Sequence, residues 1–83
     1  MITLYKNLPT LDLHGFDRDY ARIKINEFIN DNHIMKNKKI IIIHGNGEGI
    51  LRKTCQKTLK TNKYVIDFKI NNFNSGETIV NIK

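Results

Sequence analysis

The sequence predicts an α/β fold: a two-layer sandwich in the order βαβαββ, with two helices packed on one face of a four-stranded mixed sheet. Three observations support this. Four consecutive isoleucines, Ile40 to Ile43, follow Lys38-Lys39 and precede a histidine and alternating glycines. β-Branched side chains suit a pleated strand, and an unbroken apolar run suits one covered on both faces. Residues 17–32 and about 48–61 carry apolar side chains at helical spacing. Residues 64–70 and 77–82 alternate with period two and close the chain as strands. A helix joining the first two strands makes them parallel, with a right-handed crossover. Helices alternating with the early strands imply the two layers.

Residues 1–9 are short and mixed, and read as a linker or short N-terminal arm ahead of a domain at 10–83. Ile2 and Leu4 alternate with polar residues, which allows a brief edge strand, while Pro9 argues against a central one. Residues 10–15 form a short strand ending in a turn. Leu11 and Leu13 face one way, and Asp12 and His14 the other. In the first helix Asp17 is the N-cap and Asp19 suits the first turn. Ala21, Ile25, Phe28 and Ile29 make its apolar stripe, and Arg18, Arg22 and Asn26 lie elsewhere on its surface. His33 falls at its C-terminal end, where a cation suits the helix dipole. Leu51, Cys55 and Leu59, with Thr58 at the margin, are the buried stripe of the second helix; Arg52, Lys53, Gln56, Lys57 and Lys60 supply its polar faces. Tyr64, Ile66, Phe68 and Ile70 share one face of the third strand. Residues 71–76 read as a polar loop with turn chemistry. Thr78, Val80 and Ile82 share a face of the last strand.

With 83 residues the chain is one domain, or one piece of a longer protein. Its net charge of +6 and pI of about 9.6 favour a polyanionic partner, nucleic acid above membrane. The joint abundance of lysine, asparagine and isoleucine is also what a biased genome produces. No run resembles a secretory signal or a membrane span. The single cysteine excludes an internal disulfide and suits a reducing compartment, so a cytoplasmic location is expected. Its helical spacing from Leu51 and Leu59 makes Cys55 a core residue.

The chemistry gathers at two similar places. Leu13-His14-Gly15 and Ile43-His44-Gly45 each end a strand and precede a turn into a helix. Parallel strands place both ends at one sheet edge, where open α/β sheets bind ligands. Asp12, His14, His44 and the loop Gly45-Asn46-Gly47-Glu48-Gly49 therefore converge there. Alternating glycines let backbone amides approach another group, and the following helix start offers unpaired amides to an anion. The spacing suits a phosphate seat, and equally a tight turn whose glycines serve geometry alone. Asp12, His14 and His44 are the candidate catalytic residues, since a histidine can take a proton from an attacking hydroxyl and return one to a leaving oxygen. Arg52 and Lys53, one turn beyond the loop, can steady phosphate charge. RNA supplies its own 2′-hydroxyl as nucleophile, whereas DNA needs water and makes a divalent metal, magnesium or manganese, more useful. Asp12, Asp17, Asp19 and Glu48 are a thin carboxylate set for a dedicated metal site, and no cysteine–histidine spacing suggests structural zinc.

Leu11-Asp12-Leu13-His14-Gly15, followed about thirty residues later by His44-Gly45-Asn46-Gly47-Glu48-Gly49, resembles the LDLHG and HGxGxG motifs of the Smr (small MutS-related) domain family. The resemblance runs from about Leu8 to Ile82. It implies the same βαβαββ fold, similar to the C-terminal domain of translation initiation factor three. It implies a nucleic-acid-binding domain with nicking endonuclease activity on DNA or RNA, or a non-catalytic module binding DNA, RNA or the ribosome. Family members occur alone or at the C-terminus of a MutS paralogue implicated in suppressing recombination, in DNA repair and in rescuing ribosomes, which also allows dimers through such a parent. By matching motifs, Asp12 and His14 are the expected catalytic pair, and His44 with Gly45, Gly47 and Gly49 the substrate loop. The family's glycine-rich run before the last strand is reduced here to Asn74-Ser75-Gly76-Glu77-Thr78. Gly76 is expected on the nucleic-acid face, and Glu77 beside it is expected to weaken phosphate binding.

Overall fold

The computed structural model describes residues 7–83; the edge strand considered around Ile2 and Leu4 lies outside them. Six elements follow in the expected order: β1 (Thr10–Asp12), α1 (Arg18–Ile34), β2 (Lys39–Ile43), α2 (Ile50–Thr61), β3 (Val65–Asn71) and β4 (Asn74–Ile82). The sheet runs β1-β2-β4-β3. β1 pairs with β2 in parallel, and β4 is antiparallel to both its neighbours.

Alternation decides the core. Leu13, Ile40, Ile42, Val80 and Ile82 meet Ala21, Ile25 and Ile29 of α1 and Cys55 and Leu59 of α2 in one cluster, so both helices cover the same sheet face. Each such isoleucine or leucine contributes about 1.5–3 kcal/mol by leaving water. On the opposite face Ile41 pairs with Ile79, and both are buried as well. The four-isoleucine run is thus covered on two sides, as its composition predicts.

Helix α1 starts where expected: Asp17 Oδ1 accepts from the Tyr20 amide at 2.8 Å. Its end depends on a residue that the apolar stripe did not single out. Asn32 is buried, donates to the Phe28 carbonyl at 2.9 Å and accepts from Asn37 Nδ2 at 2.9 Å. Lys36 then reverses the chain at φ +64. His33 stacks on Tyr64 at 3.9 Å, and its Nδ1 lies 2.7 Å from the Lys83 carbonyl. It therefore ties the chain's last strand to α1 rather than serving only as a surface charge.

Two local expectations are corrected. Residues 71–76 are a hairpin rather than a loop: β3 runs to Asn71 and β4 begins at Asn74, because Asn71 Oδ1 accepts from the Phe73 amide and turns the chain in two residues. The single-faced stripe of β3 is also broken. The register shifts between Val65 and Asp67, leaving Ile66 exposed while Val65 and Phe68 pack on the core. A bulge inserts one residue and inverts the alternation beyond it.

Burial pushes the Cys55 thiol up from 9.0 to about 12. The unfolded chain loses this proton first, so the thiol's contribution to stability is whole below pH 9.0 and is lost as pH rises towards about 12. A thiol reagent at neutral pH is expected to label the denatured chain and leave the native one unlabelled. By circular dichroism, the stability advantage of the parent over Cys55→Ala should shrink as pH rises above 9.0.

Candidate nucleic-acid interface

Both β1 and β2 end at one edge of the sheet. Their pairing persists one residue beyond β1, where the Leu13 amide donates to the Ile43 carbonyl at 2.9 Å. The chain then turns. Asp12 Oδ1 accepts from the His14 amide at 2.9 Å, and the Phe16 amide donates to the Leu13 carbonyl at 3.0 Å. Gly15 sits at φ +79, a conformation open to glycine. Asp12 and His14 were expected to share a strand face. The strand ends at Asp12 instead, and the aspartate holds the histidine by its backbone. One oxygen of Asp12 is spent on the turn. The His14 ring is exposed and makes no hydrogen bond among the described residues.

His44 is placed differently. Asp12 and Ile43 are cross-strand partners and share a sheet face, so His44, one residue on, points to the other. It is 6% exposed. Its Nδ1 lies 3.0 Å from the Gly45 carbonyl and its Nε2 2.8 Å from the Thr78 hydroxyl. A carbonyl only accepts, so Nδ1 donates, and in the neutral ring Nε2 accepts the hydroxyl hydrogen. Both ring nitrogens are engaged. The two histidines thus reach the same edge, as the parallel strands require, but His14 faces solvent while His44 faces inward against β4.

The loop between β2 and α2 has two kinds of glycine. Gly45 at φ +77 and Gly49 at φ +88 satisfy a backbone requirement. Gly47 does not: its φ lies outside the left-handed range, and a Cβ there would meet nothing within 4 Å. The loop rests on β4, because the Gly76 carbonyl accepts from both the His44 and the Gly45 amides at 2.9 Å. Gly76 is buried behind the loop, not on its open side. A Cβ there would come within 3.3 Å of Gly45 Cα and 3.4 Å of Asn46 Nδ2. Asn46 Oδ1 accepts from the Ser75 hydroxyl at 2.9 Å, a second tie to β4.

Helix α2 begins at Ile50 rather than near Glu48, since the left-handed Gly49 cannot continue a helix. As N-cap, Gly49 provides no side-chain hydrogen bond, and no acidic residue occupies the first turn. The first amides of α2 are therefore without a side-chain cap. Arg52 Nη2 folds back to within 3.9 Å of where a Gly49 Cβ would stand, and Arg52 and Lys53 are both exposed.

A pocket of about 400 Å³ opens here, with His44, Gly47, Glu48 and Gly49 on one side and Phe16, Asp17 and Arg18 at the start of α1 on the other. Asp12 and His14 lie at the same edge but do not line it. Asp17 is committed to capping α1, which leaves exposed Glu48 as the loop's own negative charge. Glu77, expected to oppose a phosphate, pairs across from Ile43 and so lies on the sheet face away from the His44 ring. Its Oε1 accepts from Asn71 Nδ2 at 3.0 Å and braces the hairpin. Among the described residues, no three of histidine, cysteine, aspartate and glutamate stand together to hold a metal ion.

Sequence reasoning placed Asp17 at this edge but missed Phe16 and Arg18 as pocket residues, and Ser75 and Thr78 as props for the loop. The first two follow from the parallel register that brings the start of α1 to this edge. The other two depend on the antiparallel pairing of β4, for which the sequence carries no local signal.

A model of the Smr domain matches residues 11–83. Endonuclease MutS2 of Caldanaerobacter subterraneus subsp. tengcongensis is 34% identical over 68 residues, which make up 82% of this chain and 9% of that relative. Endonuclease MutS2 of Halothermothrix orenii is 33% identical over 78 residues, 90% of this chain and 10% of the relative. The chain spans about a tenth of the length of these relatives. The Smr domain of Thermus thermophilus MutS2 superposes with a TM-score of 0.88 at 22% identity, covering 92% of this chain and 99% of that one. YdaL, a stand-alone small MutS-related protein from Escherichia coli, gives 0.84 at 20% identity over 89% of this chain and 63% of its own. From residue 11 to its last residue, this chain belongs to the Smr domain family.

Proposed function

We propose that this domain holds a phosphodiester backbone against the loop of residues 45–49 and cleaves it, as an endonuclease acting on DNA or RNA. One observation carries the binding step: Gly47 is a glycine that the fold does not need, standing beside the uncapped amides of α2. Open space at that Cβ position lets a phosphate approach the backbone, and the positive end of the helix dipole favours its charge. The guanidinium of Arg52 and the ammonium of Lys53 add charge-assisted contacts.

In this reading His14 carries the proton. On RNA, the 2′-hydroxyl oxygen attacks the neighbouring phosphorus and the bond to the 5′-oxygen breaks. The His14 ring accepts the hydroxyl proton and returns one to the departing oxygen. On DNA, water takes the place of the 2′-hydroxyl. A magnesium or manganese ion would then have the second oxygen of Asp12 and the substrate phosphate to sit on, since such ions commonly bind through one or two carboxylates and phosphate oxygens. His44 is a positioning residue: its ring joins the loop to Thr78 and has no free nitrogen for the reacting atoms. That same engagement favours a second reading, a binding module on DNA, RNA or the ribosome without chemistry.

Supercoiled plasmid and end-labelled single-stranded RNA, each incubated with magnesium, manganese or chelator, separate the two readings. His14→Ala is expected to slow cleavage by at least about a hundred-fold, because general acid–base groups typically contribute that much, and to leave the melting temperature unchanged. His44→Ala should instead lower stability by about 2–4 kcal/mol, through a buried cavity and two lost hydrogen bonds. Absence of cleavage by the parent, with strand binding intact, would select the binding module.

Gly47→Ala tests the loop itself. Stability should stay within about 0.5 kcal/mol of the parent, while affinity for a single-stranded oligonucleotide, read by fluorescence anisotropy, falls roughly ten-fold, the effect of about 1.4 kcal/mol. Gly45→Ala should cost about 1–2 kcal/mol in stability, because its φ is left-handed. Unchanged affinity in a folded Gly47→Ala protein would remove the loop from the interface.

A further inference from the structure

Beside the loop pocket, a groove of about 550 Å³ opens between the outer surfaces of α1 and α2. Arg18 and Arg22 line one wall, and Lys53 and Lys57 the other. Each pair is four residues apart, hence about 6 Å along its helix, and on one face of it. None of the four makes an ion pair among the described residues, where the Lys24–Glu27 bridge lies elsewhere on α1. Asp19 is the groove's acidic residue, and it stands in the first turn of α1, where the helix dipole favours it. Four cations against one anion leave the groove strongly positive.

Two further features define what it can hold. The groove and the loop pocket share Arg18 and Ile50, so they adjoin there. The floor offers few free donors: the hydroxyls of Thr54, Thr58 and Thr61 donate to the carbonyls of Ile50, Thr54 and Thr58 at 2.9, 2.7 and 3.0 Å. The remaining donors are the guanidinium and ammonium groups of the two walls, which are suited to phosphate contacts.

We infer that this groove carries the continuation of the strand held at the loop, as a sequence-independent track for its next phosphates. This rests on the loop reading above and adds to it a direction and a minimum length. A strand seated at residues 45–49 leaves past Arg18 and Ile50 and runs between the helices. A short oligonucleotide fills the loop alone, and a longer one gains the groove.

The test compares single-stranded oligonucleotides of about 4 and about 16 nucleotides, the range a single small domain occupies. Binding to the parent and to Arg22→Ala/Lys57→Ala is followed by anisotropy across a salt series. Both positions are exposed and neither belongs to the loop site. The double variant should bind the long strand roughly ten-fold more weakly, with the log–log salt slope reduced by about 1.4, two contacts at about 0.7 each for single strands. The short strand should bind as before. Arg22→Lys/Lys57→Arg should retain the long-strand affinity, confirming that charge is what matters. Equal affinity and slope for parent and double variant on the long strand would overturn the groove and leave the loop intact. Failure of the parent to bind either strand at low salt would overturn both.

Discussion

The Gly76 carbonyl is the constraint on which the rest of this edge depends. It receives two amides, those of His44 and Gly45, at the point where β2 gives way to the glycine loop. A carbonyl has two lone pairs, so it can hold both and leave neither donor unpaired. Once those amides are fixed, the His44 ring is fixed too, because its partners are the Gly45 carbonyl and Thr78, two residues beyond Gly76. The loop that follows then projects from a rigid base, and its outer amides remain free. The absence of a side chain at Gly76 eases this approach, since a Cβ there would press on Gly45 Cα and Asn46 Nδ2 at 3.3 and 3.4 Å. A site held by backbone and short side chains on β4 is better ordered than one built on a free loop.

How much of this could be read from residues alone varies with the kind of interaction. The element order, the mixed sheet and the stripes Ala21–Ile25–Ile29 and Cys55–Leu59 were legible, because apolar periodicity records burial directly. The gathering of Asp12, His14 and His44 at one edge was legible for a topological reason, the parallel pairing that any right-handed βαβ unit imposes. What the rings do there was not. His14 and His44 stand in nearly identical local sequences, yet one is exposed and the other buried. The difference arises from Thr78 and Gly76, more than thirty residues away in the chain. The same holds for the bulge at Ile66 and the hairpin at Asn72-Phe73: side chains of similar polarity conceal a register shift and a two-residue turn. Glu77 is the clearest case. Its charge was visible, but which sheet face it occupies depended on pairing with Ile43.

The charges divide along the same lines. Apart from exposed Glu48 in the loop, the described acids closest to the edge are occupied locally: Asp12 by its turn, Asp17 by the cap of α1, Glu77 by the hairpin. Each accepts a hydrogen bond that fixes backbone or hairpin, which offsets part of its charge and ties it down. Among the described residues, Arg18, Arg22, Arg52, Lys53 and Lys57 have no such partners. Positive charge therefore predominates on the surface still available to a ligand, although the sequence intersperses both signs. A net charge of +6 states only that a polyanion is favoured; the hydrogen bonds decide where.

The mixed direction of the sheet explains why a functional edge arises in so short a chain. In an all-parallel sheet, the strand beside β2 would bring its C-terminal end to the glycine loop. Because β4 is antiparallel, its beginning lies there instead, and residues 75–78 brace residues 44–46. Its far end is fixed at the opposite edge, where the Lys83 carbonyl meets His33 stacked on Tyr64. Fastening the last strand at both ends makes it a beam across the sheet, one end carrying the loop and the other locking α1. A domain this small has a modest core. Placing the site's support on a central strand with a neighbour on each side, rather than on β1, which has three residues and one neighbour, puts it on a more cooperative part of the structure.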